Sequence, residues 1–191
     1  MKRIMNPLML MGAEFNNKSG TLPLKIIGKK LKNTKVIIDI PSAQIKSGLM
    51  LAALNTEGTT KIIENNITRD HTENMLRLFG ASIDISKNGT QTSISINGKH
   101  ELVSNNIDVP SDLSSSAFFI VAALINKGSK IIMDNININP TRDGILKALN
   151  KMGAKIDIKN KRKLSGEIVA DLEVEYSELN GCELDPEFAK L

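Results

Sequence analysis

The hexapeptide Gly-Ala-Ser-Ile-Asp-Ile at residues 80–85 returns as Gly-Ala-Lys-Ile-Asp-Ile at residues 153–158, an offset of 73 (153 − 80). Upstream of each hexapeptide, Thr-Arg-Asp occurs at residues 68–70 and again at residues 141–143, with the same offset (141 − 68). A sequence that matches itself at nearly constant spacing is built from duplicated structural units. The chain therefore predicts a repeat fold with a unit of roughly 70 residues.

Each copy predicts the same order of elements, βαβαββ, which is a fold of the α/β (α+β) class. For the first copy the predicted elements lie at residues 36–40, 42–54, 60–64, 68–80, 82–86 and 92–96. For the second copy they lie at residues 107–109, 111–125, 130–134, 141–153, 155–159 and 167–174. Ser or Asp at each first helix start can cap free backbone N–H groups, and Gly80 and Gly153 suit helix C-caps.

The two ends of the chain match parts of the same unit. Met-Gly-Ala at residues 11–13 resembles residues 152–154, so residues 1–35 are expected to be the second half of an earlier copy. Asp-Pro-Glu at residues 185–187 is expected to open a further copy. Stacked repeats with cut ends leave apolar faces uncovered, so we expect one part of a larger protein. The alternative is a self-contained pair of duplicated units.

Composition narrows the class of partner. The chain has 25 Lys+Arg against 21 Asp+Glu, a net charge of +4, and only 3% aromatic residues. Nucleic-acid surfaces cluster basic residues and add stacking aromatics, so no nucleic-acid partner is expected, whereas an anionic small molecule suits the mild charge. The single Cys182 excludes an internal disulfide. No apolar run has the length of a membrane span, so we expect no membrane partner and a cytoplasmic location.

Three segments resemble the enolpyruvyl transferase family. They are Pro-Ser-Ala-Gln-Ile-Lys-Ser (residues 41–47), Thr-Arg-Asp-His-Thr-Glu-Asn-Met-Leu (68–76) and Val-Pro-Ser-Asp-Leu-Ser-Ser-Ser-Ala-Phe-Phe (109–119), followed by Asn-Pro-Thr-Arg (139–142). The branch that is most similar at these motifs is the 5-enolpyruvylshikimate-3-phosphate synthases. The sister branch, the UDP-N-acetylglucosamine enolpyruvyl transferases, is less similar, and a piece of such an enzyme is kept as an alternative.

The resemblance implies a reaction and an architecture. In the branch that is most similar at these motifs, an enolpyruvyl group passes from phosphoenolpyruvate to the 5-hydroxyl of shikimate 3-phosphate, in the shikimate pathway of aromatic amino acid biosynthesis, and no cofactor or metal is needed. The family fold has two lobes of three βαβαββ units each. Residues 1–107 would then end the first lobe and residues 108–191 would start the second, with the crossing near residues 105–110.

The resemblance also implies substrate-binding residues. Ser42, Ala43 and Gln44 would bind shikimate 3-phosphate, Gln44 would also touch phosphoenolpyruvate, and Arg69 would contact the phosphate side of the shikimate. Physical chemistry agrees for three of them. A serine at a helix start lies where N–H groups attract anions, glutamine offers a donor and an acceptor to ring hydroxyls, and arginine offers a planar fork to phosphate.

Four further polar residues have simpler interpretations. Lys46 is expected to be a solvated helix residue, and His71 to bond the backbone at a helix start. Asp112 is interpreted as a helix cap rather than an acid catalyst. Arg142 repeats Arg69 in the second copy and is interpreted as structural.

The resemblance places no catalytic residue within the chain. The family's catalytic aspartate and glutamate, and its phosphoenolpyruvate-binding arginines, correspond to positions outside these 191 residues. Alone, the chain is therefore expected to be inactive. One hypothesis is an enzyme fragment whose partner is a complementary fragment of the same enzyme. The other is a non-catalytic module that binds an anionic metabolite or a partner chain.

Overall fold

The computed structural model describes residues 1–17 and 19–185. The expected start of a further copy at residues 185–187 therefore lies almost wholly outside the described residues. The chain divides into two compact units, Met1–Asn105 and Asn106–Leu191. The assignment of these units to the end of one lobe and the start of another stays a prediction.

The first unit carries the βαβαββ order expected of the first copy, preceded by a helix and two very short strands. Its elements are α1 (Lys2–Leu10), β1 (Glu14–Phe15), β2 (Ile26–Ile27), β3 (Lys35–Ile38), α2 (Ala43–Leu54), β4 (Thr59–Glu64), α3 (His71–Leu78), β5 (Ile83–Asn88) and β6 (Gln91–Asn97). The main sheet has the order β3-β4-β6-β5; β3 and β4 are parallel and the other pairs are antiparallel. The parallel pair requires a crossover, which α2 supplies.

The core of the first unit lies between α2 and one face of this sheet. Alternate residues of β6 are buried, as expected for a strand with one covered face. The buried apolar side chains that contact one another are Met11, Val36, Ile38, Ile45, Leu49, Met50, Ala53, Ile62, Leu76, Ala81, Ile94 and Ile96. Helix α2 is thereby fixed with its N-terminus beyond the end of β3, where the chain carries Pro41 and Ser42.

The second unit repeats the arrangement with a smaller sheet. Its elements are α4 (Leu113–Ile125), β7 (Lys130–Asn137), α5 (Gly144–Lys151), β8 (Lys155–Leu164) and β9 (Glu167–Glu175). The sheet order is β7-β9-β8, with both pairs antiparallel. The strand expected at residues 107–109 is wrong. Only Ser111 pairs with Ile136, in parallel, because Pro110 has no N–H and the Asp108 N–H is donated to the Ser165 hydroxyl at 2.8 Å.

Two helices begin three residues later than expected, at His71 rather than residue 68 and at Gly144 rather than residue 141. In the second unit the Asn139 side chain accepts hydrogen bonds from the backbone N–H (2.9 Å) and the hydroxyl (2.7 Å) of Thr141. Such local side-chain bonds offer the backbone an alternative to helix. The expected helix ends agree with the structure to within two residues and the remaining strands to within three, except that the strand expected at residues 155–159 continues to Leu164.

Asp112 caps α4, as the sequence predicts. Its carboxylate accepts from the backbone N–H of Ser115 at 3.0 Å and pairs with Arg142 at 3.2 Å. Partial burial raises the pKa of Asp112, but hydrogen bonds from Ser115 and from the Ser114 backbone, together with Arg142, outweigh it and hold this pKa below its usual value.

We expect Asp112→Ala to lower the stability of the second unit by about 1 kcal/mol, because the cap is lost, while Asp112→Asn keeps the cap and costs less. A depressed folded pKa gives stability above the unfolded pKa of about 4, so the difference between Asp112→Ala and the parent should shrink as the pH falls below about 4. Urea unfolding at two pH values checks this. Equal losses for alanine and asparagine would contradict the cap.

Candidate functional site

Three of the four expected binding residues lie at the N-terminus of α2. Ser42 is the N-cap, and its hydroxyl oxygen accepts from the Ile45 N–H at 3.4 Å. Ala43 is half-buried and Gln44 is exposed. A serine hydroxyl that accepts one bond still has its own proton to donate and a second lone pair. The observed cap therefore leaves Ser42 able to bind a ligand oxygen.

The fourth residue, Arg69, lies in the connection between β4 and α3 and is exposed. Within residues 1–17 and 19–185, no side chain or carbonyl pairs with its guanidinium. Its counterpart in the second unit behaves differently, since Arg142 pairs with Asp112 at 3.2 Å and donates to the Ser114 hydroxyl at 2.5 Å. The structural interpretation of Arg142 therefore holds in this structure, whereas Arg69 is exposed and has no partner among the described residues.

The expectation that Lys46 is a solvated helix residue is wrong. Its side chain is only 1% exposed, and the ammonium lies 2.7 Å from Glu73 Oε1 and 3.1 Å from Glu64 Oε1. It also donates to the carbonyl of Thr68 at 3.4 Å. The sequence does hold a signal for this burial: Lys46 precedes Leu49, Met50 and Ala53 by three, four and seven residues, which is the buried stripe of a helix.

Hydroxyl groups near Lys46 make further hydrogen bonds at the end of β4 and between α2 and α3. Thr68 donates to Glu64 Oε2 at 2.7 Å. The hydroxyls of Ser47 and Thr72 lie 2.6 Å apart, and Ser47 also donates to the Ala43 carbonyl at 2.8 Å. The segment on both sides of Arg69 is therefore bonded to the first turns of α2. The structure thus brings the expected binding residues of α2 and the segment that carries Arg69 together at one end of the first unit.

The buried ionic cluster of Lys46, Glu64 and Glu73 has two carboxylates for one ammonium. Burial raises the pKa of Glu73, and the charge and hydrogen bond of Lys46 oppose this rise without cancelling it. Glu73 Oε2 has no hydrogen-bond partner among the described residues. The protein environment thus favours a proton on Glu73 more than water does.

We expect Glu73→Gln to flatten the pH dependence of stability in the first unit. A carboxyl whose folded pKa is raised binds its proton more tightly when folded, so stability falls as the pH rises from about 4 through the folded pKa. The urea midpoint of the parent should therefore fall more steeply with pH than that of the variant. Glu101→Gln, at an exposed position, is the matched control and should follow the parent. Identical slopes for Glu73→Gln and the parent would contradict the assignment.

Two clefts border this end of the first unit. One, of about 360 Å³, is lined by the cluster together with Thr68, Asp70, Asn74, Arg77, Lys87 and Thr92, among others. The other, of about 200 Å³, runs beside the first turn of α2 and includes Ile45 and the two basic residues Lys2 and Arg3. Lys2 and Arg3 lie in no sequence motif that points to a binding role. Among the described residues there is no group of His, Cys, Asp and Glu that could hold a metal ion.

The EPSP synthase (3-phosphoshikimate 1-carboxyvinyltransferase) family model matches residues 1–186. The chain belongs to this family. It is 49% identical over 185 residues to the 3-phosphoshikimate 1-carboxyvinyltransferase of Crocosphaera subtropica, covering 95% of this chain and 40% of that relative. The EPSP synthase of Acinetobacter baumannii superposes on it with a TM-score of 0.86 at 41% identity, covering 100% of this chain and 43% of that one.

A more distant solved structure shares the fold. The enolpyruvyl transferase NikO of Streptomyces tendae matches with a TM-score of 0.62 at 17% identity, over 92% of this chain and 42% of that one. The expected α/β enolpyruvyl transferase fold and the expected family are confirmed. The chain spans about two fifths of the length of the EPSP synthases it matches. No described helix is long and apolar enough to cross a bilayer.

Proposed function

We propose that this EPSP synthase chain supplies part of the shikimate 3-phosphate site of a 3-phosphoshikimate 1-carboxyvinyltransferase. The full reaction would move the enolpyruvyl group of phosphoenolpyruvate to the 5-hydroxyl of shikimate 3-phosphate and release phosphate. Ser42, Ala43, Gln44 and Arg69 are the proposed substrate-binding residues. The observation that carries the proposal is a difference between the two repeat units at their first helix start.

In the second unit, the negatively charged group at the start of the first helix is a side chain of the protein itself. The Asp112 carboxylate lies at the N-terminus of α4, where it accepts from the Ser115 backbone N–H and forms an ion pair with Arg142. A helix N-terminus and an arginine fork both favour a negatively charged group, so one carboxylate satisfies both.

In the first unit the equivalent positions hold no carboxylate. Counted from the helix caps, Ser42 corresponds to Asp112 (112 − 42 = 70), and counted from the Thr-Arg-Asp motif, Arg69 corresponds to Arg142 (142 − 69 = 73). The first unit therefore keeps the helix N-terminus and the arginine but lacks the internal anion. An external phosphate of the substrate would take the place of the missing carboxylate, which supports the proposed site.

Each proposed residue has a distinct part in binding. The Ser42 hydroxyl and the backbone N–H groups of the first turn would donate to phosphate oxygens, and Arg69 would bind the same group through its fork. Exposed Gln44 would bond the ring hydroxyls and reach phosphoenolpyruvate, and the small Ala43 side chain lets the ring lie close to the helix. The neighbouring cleft carries Lys2 and Arg3 against one carboxylate, Asp39, so its net charge is positive and would favour an anion.

The remaining parts of the proposal concern the whole enzyme. Residues 1–107 and 108–191 would belong to the end of one lobe and the start of the other, and a complementary part of the same enzyme would be the partner. The location would be cytoplasmic.

Because these 191 residues correspond to 40% of the length of a relative such as that of Crocosphaera subtropica, we expect phosphate release by this chain alone to stay at background with both substrates.

Binding of shikimate 3-phosphate to the 191-residue chain tests the proposal. Calorimetry or ligand-detected NMR at fixed salt should show weak binding of shikimate 3-phosphate and still weaker binding of shikimate, because the phosphate makes the charged contacts. Equal affinity for both ligands would overturn the phosphate assignment. Binding of inorganic phosphate alone, with no gain from the shikimate ring, would instead favour a module for an anion of another kind.

A further inference from the structure

We propose that Lys46 is a positioning residue for this site: its buried ammonium holds the segment that carries Arg69 at a fixed place against the N-terminal turn of α2. The proposal rests on the proposed function and adds a residue that touches no substrate. Lys46 is buried beneath the α2 surface and would act only through its neighbours.

The contacts of Lys46 join three elements at one point. Its ammonium reaches Glu64 at the end of β4, Glu73 in α3 and the Thr68 carbonyl beside Arg69. On its own helix, the Lys46 N–H donates to the Ser42 carbonyl at 3.0 Å, the first bond of α2. A single side chain therefore links the residue before Arg69 to the helix turn that begins at Ser42.

The fold itself does not require this ionic cluster. In the second unit, the position equivalent to Lys46 is Ser116 (46 + 70) and the position equivalent to Glu73 is Leu146 (73 + 73). Both are buried, and α4 and α5 pack on their sheet without a buried lysine there. Two helices therefore pack on the sheet of the second unit without a buried ionic cluster, and the cluster occurs in the unit that carries the proposed site.

The energetics of buried ion pairs also favour a positioning role over a stabilising one. Taking charges out of water is costly, and a buried ion pair is often no more stabilising than apolar residues of similar volume. What fixed charges and hydrogen bonds do give is a defined geometry. Binding groups must be held to within a fraction of an ångström, and a misplacement of about 1 Å can cost 100-fold. The cluster is suited to hold Arg69, whose own side chain is exposed, in such a place.

The test replaces the whole cluster without leaving a buried charge. We expect Lys46→Met/Glu64→Gln/Glu73→Leu to keep a parental urea midpoint within the first unit, while its affinity for shikimate 3-phosphate falls at least about tenfold. Glu73→Gln is the matched conservative variant, because its amide oxygen can still accept from Lys46. It should retain parental affinity.

A second readout separates positioning from general stability and needs no ligand. In the triple variant, the backbone NMR signals of residues 68–72 should shift, and the Asn74 amide, which donates to the Asp70 carbonyl at 3.0 Å, should exchange faster. The amides of β6 should keep their protection. If Lys46 only stabilised the unit, the signals of residues 68–72, the exchange of the Asn74 amide and the protection of the β6 amides would all change together.

The outcomes are distinct. A folded triple variant with parental affinity and unchanged signals at residues 68–72 overturns the positioning role. If the parent itself does not bind shikimate 3-phosphate, the proposed function fails, but the signals and the Asn74 exchange still decide whether Lys46 positions the segment. If the triple variant does not fold, Thr68→Val removes only the donor to Glu64 Oε2. It should shift the same signals and weaken binding, and no effect on either overturns the proposal.

Discussion

Replacing Lys46 alone by methionine is expected to lower the free energy of unfolding of residues 1–105 by about 3–5 kcal/mol. Methionine keeps most of the lysine stem, so the loss comes from charge rather than from a cavity. It leaves the carboxylates of Glu64 and Glu73, each 2% exposed, without the cation between them. Removing one partner of a buried ion pair costs far more than removing all of them. Urea unfolding followed through the NMR signals of β6 measures the effect within the first unit.

Two comparisons test whether the loss of stability in Lys46→Met comes from the buried charge. Lys61→Met changes an exposed lysine of β4 and is expected to alter stability by less than about 0.5 kcal/mol. Lowering the pH should restore part of the stability of Lys46→Met, because the Glu73 carboxyl, whose pKa is raised by burial, then takes up a proton instead of remaining charged. A loss below about 1 kcal/mol for Lys46→Met at neutral pH would show that the ammonium is not the counterion of both acids.

Arg69→Ala is expected to weaken binding of shikimate 3-phosphate by roughly one to two orders of magnitude. A charge-assisted contact contributes about 1.5–3 kcal/mol, and each 1.4 kcal/mol corresponds to about tenfold in Kd. Stability should change little, because Arg69 is exposed and bonds no other described residue. Calorimetry of the variant and the parent at the same salt concentration gives the comparison, since exposed phosphate contacts are screened by ions.

Arg142→Ala is the matched control for Arg69→Ala. Its guanidinium is already paired with Asp112, so its loss should lower the stability of the second unit slightly and leave the affinity for shikimate 3-phosphate unchanged. Equal effects of the two substitutions on binding would contradict the proposal that Arg69 binds the substrate phosphate while Arg142 pairs only within the protein. Parental affinity in Arg69→Ala would show that the phosphate is bound elsewhere.

Features set by neighbouring residues were predictable from the sequence. The caps at Ser42 and Asp112 each bond a backbone N–H three residues on, so a short motif is enough to predict them. The repeat offset likewise gave the order of elements in the first copy and, apart from its first strand, in the second, because each unit folds its own stretch of chain. The family resemblance, which the comparisons confirm, rested on motifs in the same segments.

Features set by distant residues were missed. Lys46 meets Glu64 and Glu73, which lie 18 and 27 residues further along (64 − 46; 73 − 46), and such partners are not visible in a local motif. Its place on the buried stripe of α2 was the available signal, but a lysine on an apolar stripe is rarely buried unless paired. The absent strand at residues 107–109 has a similar cause, since the Asp108 N–H is taken by Ser165, which is 57 residues away.

The central claim is that the N-terminal turn of α2 and the segment that carries Arg69 (residues 68–72) together form the binding surface for shikimate 3-phosphate. The most direct measurement is a titration of the ¹⁵N-labelled chain with shikimate 3-phosphate, followed through its backbone amide and arginine Nε signals. The account predicts saturable shifts concentrated at residues 42–46 and 68–72 and at the Arg69 Nε, with the signals of residues 106–185 unchanged. Shifts confined to the second unit, or spread without a centre over both units, would contradict it.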